Sequence, residues 1–287
     1  MRCTSPITVT PFGTHGMRFE VACGQCLACR ITRTSQWTAR LTSELTNWDK
    51  ACFVTLTYDE EHLASSSLVK KDFQLFMKRL RKYSLGRNMK YYACGEYGQD
   101  NMRPHFHAII FGVGTDMTDR QLIAKSWGKC PDIKFTVPQY KGVGSVTPDS
   151  IRYVTGYIQK KYTGSQGKEE YENKGLVPPF SLSSQGLGLD YALKHSDRLN
   201  EYGYYDMING KVPIPKYIQN KIGYTKTETE RAMRLIKDAE KYGINPEPFL
   251  STCNARLLEV ALSENQLARA EQNSLNTKLI IKGENKL

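Results

Sequence analysis

Residues 89–111 run Met89-Lys90-Tyr91-Tyr92-Ala93-Cys94-Gly95-Glu96, then Tyr97-Gly98-Gln99-Asp100-Asn101-Met102-Arg103-Pro104, then His105-Phe106-His107-Ala108-Ile109-Ile110-Phe111. Aromatic and aliphatic residues crowd the outer pieces, and Gly, Asp, Asn and Pro the middle one. The stretch therefore predicts two strands joined by a loop, an antiparallel hairpin. Residues two apart on a strand share a face, so His105 and His107 project together while Phe106 enters the opposite layer. Two adjacent imidazoles are half a metal site, and hairpin pairing brings Glu96 close enough to supply an oxygen. Two histidines and one carboxylate leave positions open for a phosphate oxygen and water, which suits Mg2+ or Mn2+ acting as a Lewis acid. The plain alternative for Glu96 is an exposed turn carboxylate.

Working outward, Cys52 to Tyr58 is a β-branched and aromatic run that predicts a strand. Trp37, Leu41 and Leu45 repeat every four residues and predict a helix over about 30–48. Asp72 is positioned to cap a second helix whose buried stripe is Phe73, Phe76, Met77 and Leu80. Further helices are predicted at about 118–127, from near Asp149, at Glu228 to Lys241 and at Cys253 to Ala270. Residues 1–22 and 133–147 read as short strands and turns. Residues 163–188, rich in Gly, Ser, Lys and Glu, read as a long mobile loop. Strands and helices interleave with short hairpins, which favours an α+β domain with an antiparallel sheet. The corresponding division is a cysteine-rich segment and helix at 1–50, a catalytic domain at 51–162, a loop at 163–195 and a mainly helical region at 196–287.

The chain has 287 residues, of which 40% are hydrophobic and 10% aromatic, enough for a packed core; this excludes a disordered, coiled-coil or collagen-like chain. No apolar run is long enough for a membrane span and the start does not resemble a secretory leader, so a soluble protein is expected. Forty basic against 29 acidic residues give a net charge of +11. Such an excess suits a polyanionic partner such as nucleic acid. Between Val69 and Lys90, eight basic residues (Lys70, Lys71, Lys78, Arg79, Arg81, Lys82, Arg87 and Lys90) face one acid, Asp72. That helix face is either simply solvated or tracks a DNA strand.

There are eight cysteines. Cys23, Cys26 and Cys29 form C-x2-C-x2-C, and Cys3 could complete a tetrahedral four-cysteine Zn2+ site. An iron–sulfur cluster is the rival, although the downstream cysteine and proline of the ferredoxin run are missing. Three reduced thiols at a helix start are the remaining alternative. In Tyr153-Val154-Thr155-Gly156-Tyr157-Ile158-Gln159-Lys160-Lys161, the tyrosines share a helix face and Lys160 and Lys161 follow close to it. A nearby ammonium would help form the phenolate needed to attack phosphorus. The alternative is a core edge with a wet hydroxyl.

Taken in order, Phe53 to Tyr58, Arg103 to Gly112 and the Tyr-x3-Tyr-x2-Lys-Lys run resemble the three motifs of the HUH endonucleases that start rolling-circle replication. The chain is more similar still to the replication initiators of microviruses, small single-stranded DNA phages of the gokushovirus type. Shared stretches are Cys23 to Arg30, Trp37 to Arg40, Leu56 to Asp59, Phe73 to Arg81, Cys94 to Gly98, Gly186 to Gly188 and Pro213 to Tyr217. The resemblance covers about residues 1–220 and departs from many HUH enzymes in keeping two tyrosines.

It implies a ferredoxin-like antiparallel sheet with flanking helices, an N-terminal cysteine-rich extension and a helical C-terminal region. His105 and His107 would lie on a central strand with the tyrosine helix alongside. It further implies site-specific nicking and rejoining of single-stranded DNA at the replication origin through a 5′-phosphotyrosine. Tyr153, Tyr157, Lys160 and Lys161 would be catalytic, with a metal on Glu96, His105 and His107. Lys78, Arg79, Arg81, Lys82 and Arg103 would contact DNA, and host helicase and polymerase would be partners in the bacterial cytoplasm. No G-x4-G-K-[ST] loop is present, so no ATP-driven step is expected. Two other readings compete: a non-catalytic, zinc-containing single-stranded DNA-binding protein, and a His-metal hydrolase of small molecules.

Overall fold

The computed structural model describes residues 3–10, 18–63, 65–98, 101–129, 142–160, 167, 169–207 and 210–224. The chain divides into two units, one of residues 30–222 and one of residues 1–29 with 223–287. In the smaller unit a short antiparallel pair, β1 (Ile7–Val9) and β2 (Phe19–Val21), stands beside the cysteine cluster in sequence. The helix α1 (Leu27–Leu45) begins with the last cysteine of that cluster in its first turn.

The larger unit is built on β3 (Ala51–Leu56), α2 (Lys70–Tyr83), β4 (Lys90–Tyr97), β5 (Pro104–Phe111), α3 (Met117–Trp127), β6 (Val143–Ser145), α4 (Pro148–Lys160) and β7 (Phe180–Ser183). The strands form one sheet in the order β6-β3-β5-β4-β7, and every neighbouring pair is antiparallel. The first four strands in that order make the ferredoxin-like arrangement. Its two crossovers, β3-α2-β4 and β5-α3-β6, each join parallel strands, and the handedness rule lays both helices on one face. There Phe73, Phe76, Met77, Leu80 and Trp127 pack on Val54, Leu56, Phe106, Ala108 and Ile110. Each fully buried Leu or Phe in such a layer contributes about 1.5–3 kcal/mol relative to exposure.

The other face belongs to α1 and α4, where Leu41, Ile151 and Val154 cover Tyr92, Cys94, Ile109 and Phe111. The indole N–H of Trp127 donates to the Thr57 carbonyl at 2.6 Å. This bond ties α3 to the end of β3 and gives the most bulky buried side chain its polar partner.

Asp72 does not cap α2. The cap is Val69, without a side-chain bond, and Asp72 lies inside the first turn. Its carboxylate instead accepts the Tyr58 hydroxyl at 2.9 Å and faces Lys129 at 3.5 Å. By contrast Asp116 caps α3, accepting from Asp119 N at 3.0 Å, and Gly128 ends that helix at φ 62°. The stretch read as a loop carries the edge strand β7, a 3-10 turn at Glu172–Lys174 and the buried Leu187. It is followed by short helices at Leu189–Lys194, Ser196–Tyr202 and Lys216–Ile222 and a hairpin of Tyr204–Met207 with Gly210–Pro213. Of the short strands expected in 133–147, β6 is described; the rest, and both helices expected beyond residue 225, lie outside the described residues.

Candidate active site

On β5 the period of two turns Phe106 toward α2 and both histidines toward α4. The sheet register then places Glu96 directly opposite His105 and Thr55 opposite His107. One carboxylate oxygen of Glu96 meets both imidazoles, at 2.7 Å from His105 Nε2 and 3.1 Å from His107 Nε2. The other ring nitrogens are held from behind: His105 Nδ1 donates to the Arg103 carbonyl at 3.1 Å, and His107 Nδ1 bonds Thr55 Oγ1 at 3.0 Å. A carbonyl can only accept, so His105 carries its proton on Nδ1 and turns Nε2 inward.

Outer partners of this kind orient metal-binding imidazoles, and the three inward ligand atoms lie within 4.8 Å of one another. The donor set therefore fits a divalent cation. Without one, burial would raise the Glu96 carboxyl, but its bonds to His105 and His107 hold it below its ordinary value. Burial would likewise depress His105, yet the Glu96 contact raises it above the ordinary imidazole value.

The tyrosine pair joins this group. The His107 ring is sandwiched between Phe53 (centroids 5.7 Å apart, planes at 13°) and Tyr157 (5.1 Å, 5°). Tyr153 stands edge-on to His107 at 5.2 Å and to Tyr157 at 4.9 Å. Helix α4 is fixed against α1 by Thr38 Oγ1 and Thr155 Oγ1, 2.9 Å apart, and by Thr34 Oγ1 donating to the Thr155 carbonyl. Burial, then the charge of Glu96, push the Tyr157 phenol far above its ordinary range, and burial also raises Tyr153. The ammonium groups expected to act in the other direction, on Lys160 and Lys161, lie outside the described side chains.

The basic helix does not surround this site. Because α2 packs on the Phe106 face, its charges lie across the sheet from the histidines. Lys78 and Lys82 are exposed there. Arg79 is engaged internally, donating to the carbonyls of Ser126 (2.6 Å) and Trp127 (3.0 Å) at the end of α3, and Arg81 lies over the Tyr91 ring. Arg103 stays at the site's edge, bonded to Glu60 at 2.6 Å and to the Tyr58 carbonyl at 2.7 Å. Phe53 and Thr55 carry no assigned role in the sequence reading. Their place follows from pairing between strands fifty residues apart, which one sequence does not display.

In the smaller unit all four expected cysteines converge. Cys3 Sγ lies 3.4 Å from Cys23 Sγ and 3.8 Å from Cys26 Sγ, and Cys23 Sγ lies 4.0 Å from Cys29 Sγ. Backbone N–H groups of Cys26 and Gln25 point at Cys23 Sγ (3.3 and 3.4 Å), and that of Cys23 at Cys3 Sγ (3.2 Å). The turn that aims them runs through Gly24 at φ 73°. The Cys26 N–H bond leads in drawing the Cys23 thiol below its ordinary value. The four sulfurs form a group able to hold a metal ion.

Comparison with known proteins agrees with this geometry. The family model for replication-associated proteins of the ORF2 type matches residues 51–162, which includes all of β3 through α4. The replication-associated protein VP4 of Bdellovibrio phage phiMH2K is 32% identical over 229 residues, covering 75% of this chain and 70% of that protein. The replication-associated protein ORF2 of Spiroplasma virus 4 is 32% identical over 197 residues, 63% of this chain and 59% of that protein. ORF4 of Chlamydia phage 1, also named a replication-associated protein, is 26% identical over 254 residues, 82% and 60% of the respective chains. No solved structure matches. The chain belongs to the family of phage replication-associated proteins.

Proposed function

We propose that the chain is a metal-dependent HUH endonuclease that nicks and rejoins single-stranded DNA at the replication origin of a circular phage genome. The observation that carries this reading is the meeting of Glu96, His105 and His107 with Tyr153 and Tyr157 on one face of the sheet. A tyrosine hydroxyl attacks the scissile phosphorus, forming a P–O bond to the protein and releasing the 3′ oxygen. Glu96, His105 and His107 would hold Mg2+ or Mn2+, which supplies charge to polarise a non-bridging phosphate oxygen. The His107 ring, clamped by Phe53 and Tyr157, keeps the tyrosine helix in register with the phosphate.

The phosphotyrosine conserves the phosphodiester linkage, so the reverse attack closes the circle without ATP. The freed 3′-hydroxyl primes the host polymerase in the cytoplasm, and a second tyrosine allows the regenerated origin to be cut while the first end is held. Among the described residues, no helix is long and apolar enough to cross a membrane.

A labelled single strand spanning the origin, mixed with the protein and Mn2+, tests the reading. The expected result is a covalent adduct that survives SDS and vanishes with EDTA and in the Tyr153→Phe, Tyr157→Phe double variant. A protein that only binds the strand gives no adduct with any divalent metal.

For the cysteine cluster we propose a structural Zn2+. Tetrahedral Zn–S bonds of about 2.3 Å require sulfurs about 3.8 Å apart, and the observed spacings of 3.4–4.0 Å bracket that value. Elemental analysis of protein purified without chelator is expected to find about one zinc per chain, lost in Cys26→Ser. An equally stable, metal-free wild type would exclude it.

A further inference from the structure

The two tyrosines of α4 are not equivalent, although the sequence presents them as a repeat. Tyr157 lies flat against His107, with its plane 5° from the imidazole and Phe53 on the far side. Turning its hydroxyl toward an arriving strand would break that stack. Tyr153 is 49% exposed and touches Phe53, His107 and Tyr157 only by edge contacts.

The hydroxyls are also polarised. Tyr157 is the donor toward Tyr153 and toward the Glu96 carboxylate, and Tyr153 is the acceptor. The proton of Tyr157 is therefore committed inside the protein, whereas the Tyr153 oxygen receives a hydrogen bond while its own O–H remains available.

We infer that Tyr153 is the nucleophile of the first cleavage and that Tyr157 serves in that step as a positioning residue, donating a hydrogen bond to the attacking oxygen. The inference rests on the nicking reading above. The Tyr153 oxygen forms the bond to phosphorus as the P–O3′ bond breaks. Its proton passes to solvent water, and the departing 3′ oxygen takes a proton from water, so no further reactant is needed. An oxygen that already accepts a hydrogen bond has its growing negative charge stabilised as attack proceeds. Tyr157 becomes available for the second cleavage once Tyr153 is esterified.

The test uses the full chain, Mn2+ and a 3′-labelled single strand spanning the origin, under single-turnover conditions. Nuclease and tryptic digestion of the wild-type adduct, followed by fragmentation mass spectrometry, is expected to place the nucleotide on Tyr153. This readout needs no variant. Tyr153→Phe should lower first-turnover adduct at least 100-fold. Tyr157→Phe should keep the adduct, slowed about 10-fold for one lost hydrogen bond, with strand affinity by anisotropy unchanged. A residue that only braces the fold would weaken binding as well as rate. A nucleotide on Tyr157, an even split between the two, or an adduct retained by Tyr153→Phe and lost by Tyr157→Phe overturns the inference and leaves the nicking reading standing. No wild-type adduct at all overturns both.

Discussion

Replacing His105 by alanine is expected to lower cleavage of the origin strand by about 10³-fold while leaving strand affinity within a factor of a few. His105 supplies one of three ligand atoms, and its Nε2 lies 2.7 Å from Glu96. Without it the remaining pair, His107 and Glu96, is too sparse to fix a cation against the phosphate. The charge stabilisation at stake is several kcal/mol, and each 1.4 kcal/mol is about a factor of ten in rate.

His105 is the better probe than His107. The ring of His107 is packed between Phe53 and Tyr157, so truncating it would leave a void beside the tyrosines. A matched substitution, Arg103→Ala, separates the metal from mere charge. The Arg103 side chain is tied to Glu60 and the Tyr58 carbonyl, whereas its backbone carbonyl still fixes His105 in the variant. Cleavage at the normal rate in His105→Ala, measured in single turnovers at saturating metal, would remove this group from the mechanism.

The part of this site that a single sequence shows is the part governed by local period. His105 and His107 are two apart on a strand, Glu96 is joined to them by a short loop, and Tyr153 and Tyr157 are four apart on a helix. Each relation fixes a shared face without knowledge of the rest of the chain. The third strand is different. Thr55 and Phe53 reach His107 only because β3 pairs with β5 in one particular register, and that depends on non-local packing.

The basic helix shows the same limit from the other side. Its buried stripe was legible, as was the apolar side of Phe106. What was not drawn from them is that the two must meet, which puts the charges of α2 across the sheet from the histidines. Arg79 further shows that a cation in a charge run can be engaged by helix-terminal carbonyls. The strand β7 was hidden because only four residues alternate within a segment whose composition otherwise reads as loop.

The largest loss of stability is expected from Glu44→Ala, about 3–5 kcal/mol, as for breaking a buried ion pair from one side. The Glu44 side chain is fully buried beneath α1, and three donors converge on it: Trp48 Nε1 at 2.7 Å, Gly188 N at 2.7 Å and Lys90 Nζ at 2.9 Å. Alanine leaves a buried indole N–H and a buried backbone N–H without acceptors. It also leaves Lys90 with only the exposed Asp190 as partner.

The position also explains Gly186-Leu187-Gly188, a motif that the catalytic site does not use. Leu187 fills the core under α1, and Gly188, at φ 73°, brings its N–H against Glu44. A Cβ at Gly188 would stand 2.8 Å from the Arg40 carbonyl oxygen, so only glycine permits this approach. At about 2–4 °C per kcal/mol for a unit of this size, Glu44→Ala should melt about 10 °C lower. Glu44→Gln keeps acceptor oxygen for Trp48 or Gly188 and loses the charge for Lys90, so it should fall between the two. Urea unfolding with an unchanged slope would assign the loss to the native state. Equal midpoints for wild type and Glu44→Ala would show that the α1–Gly188 junction does not hold the unit together.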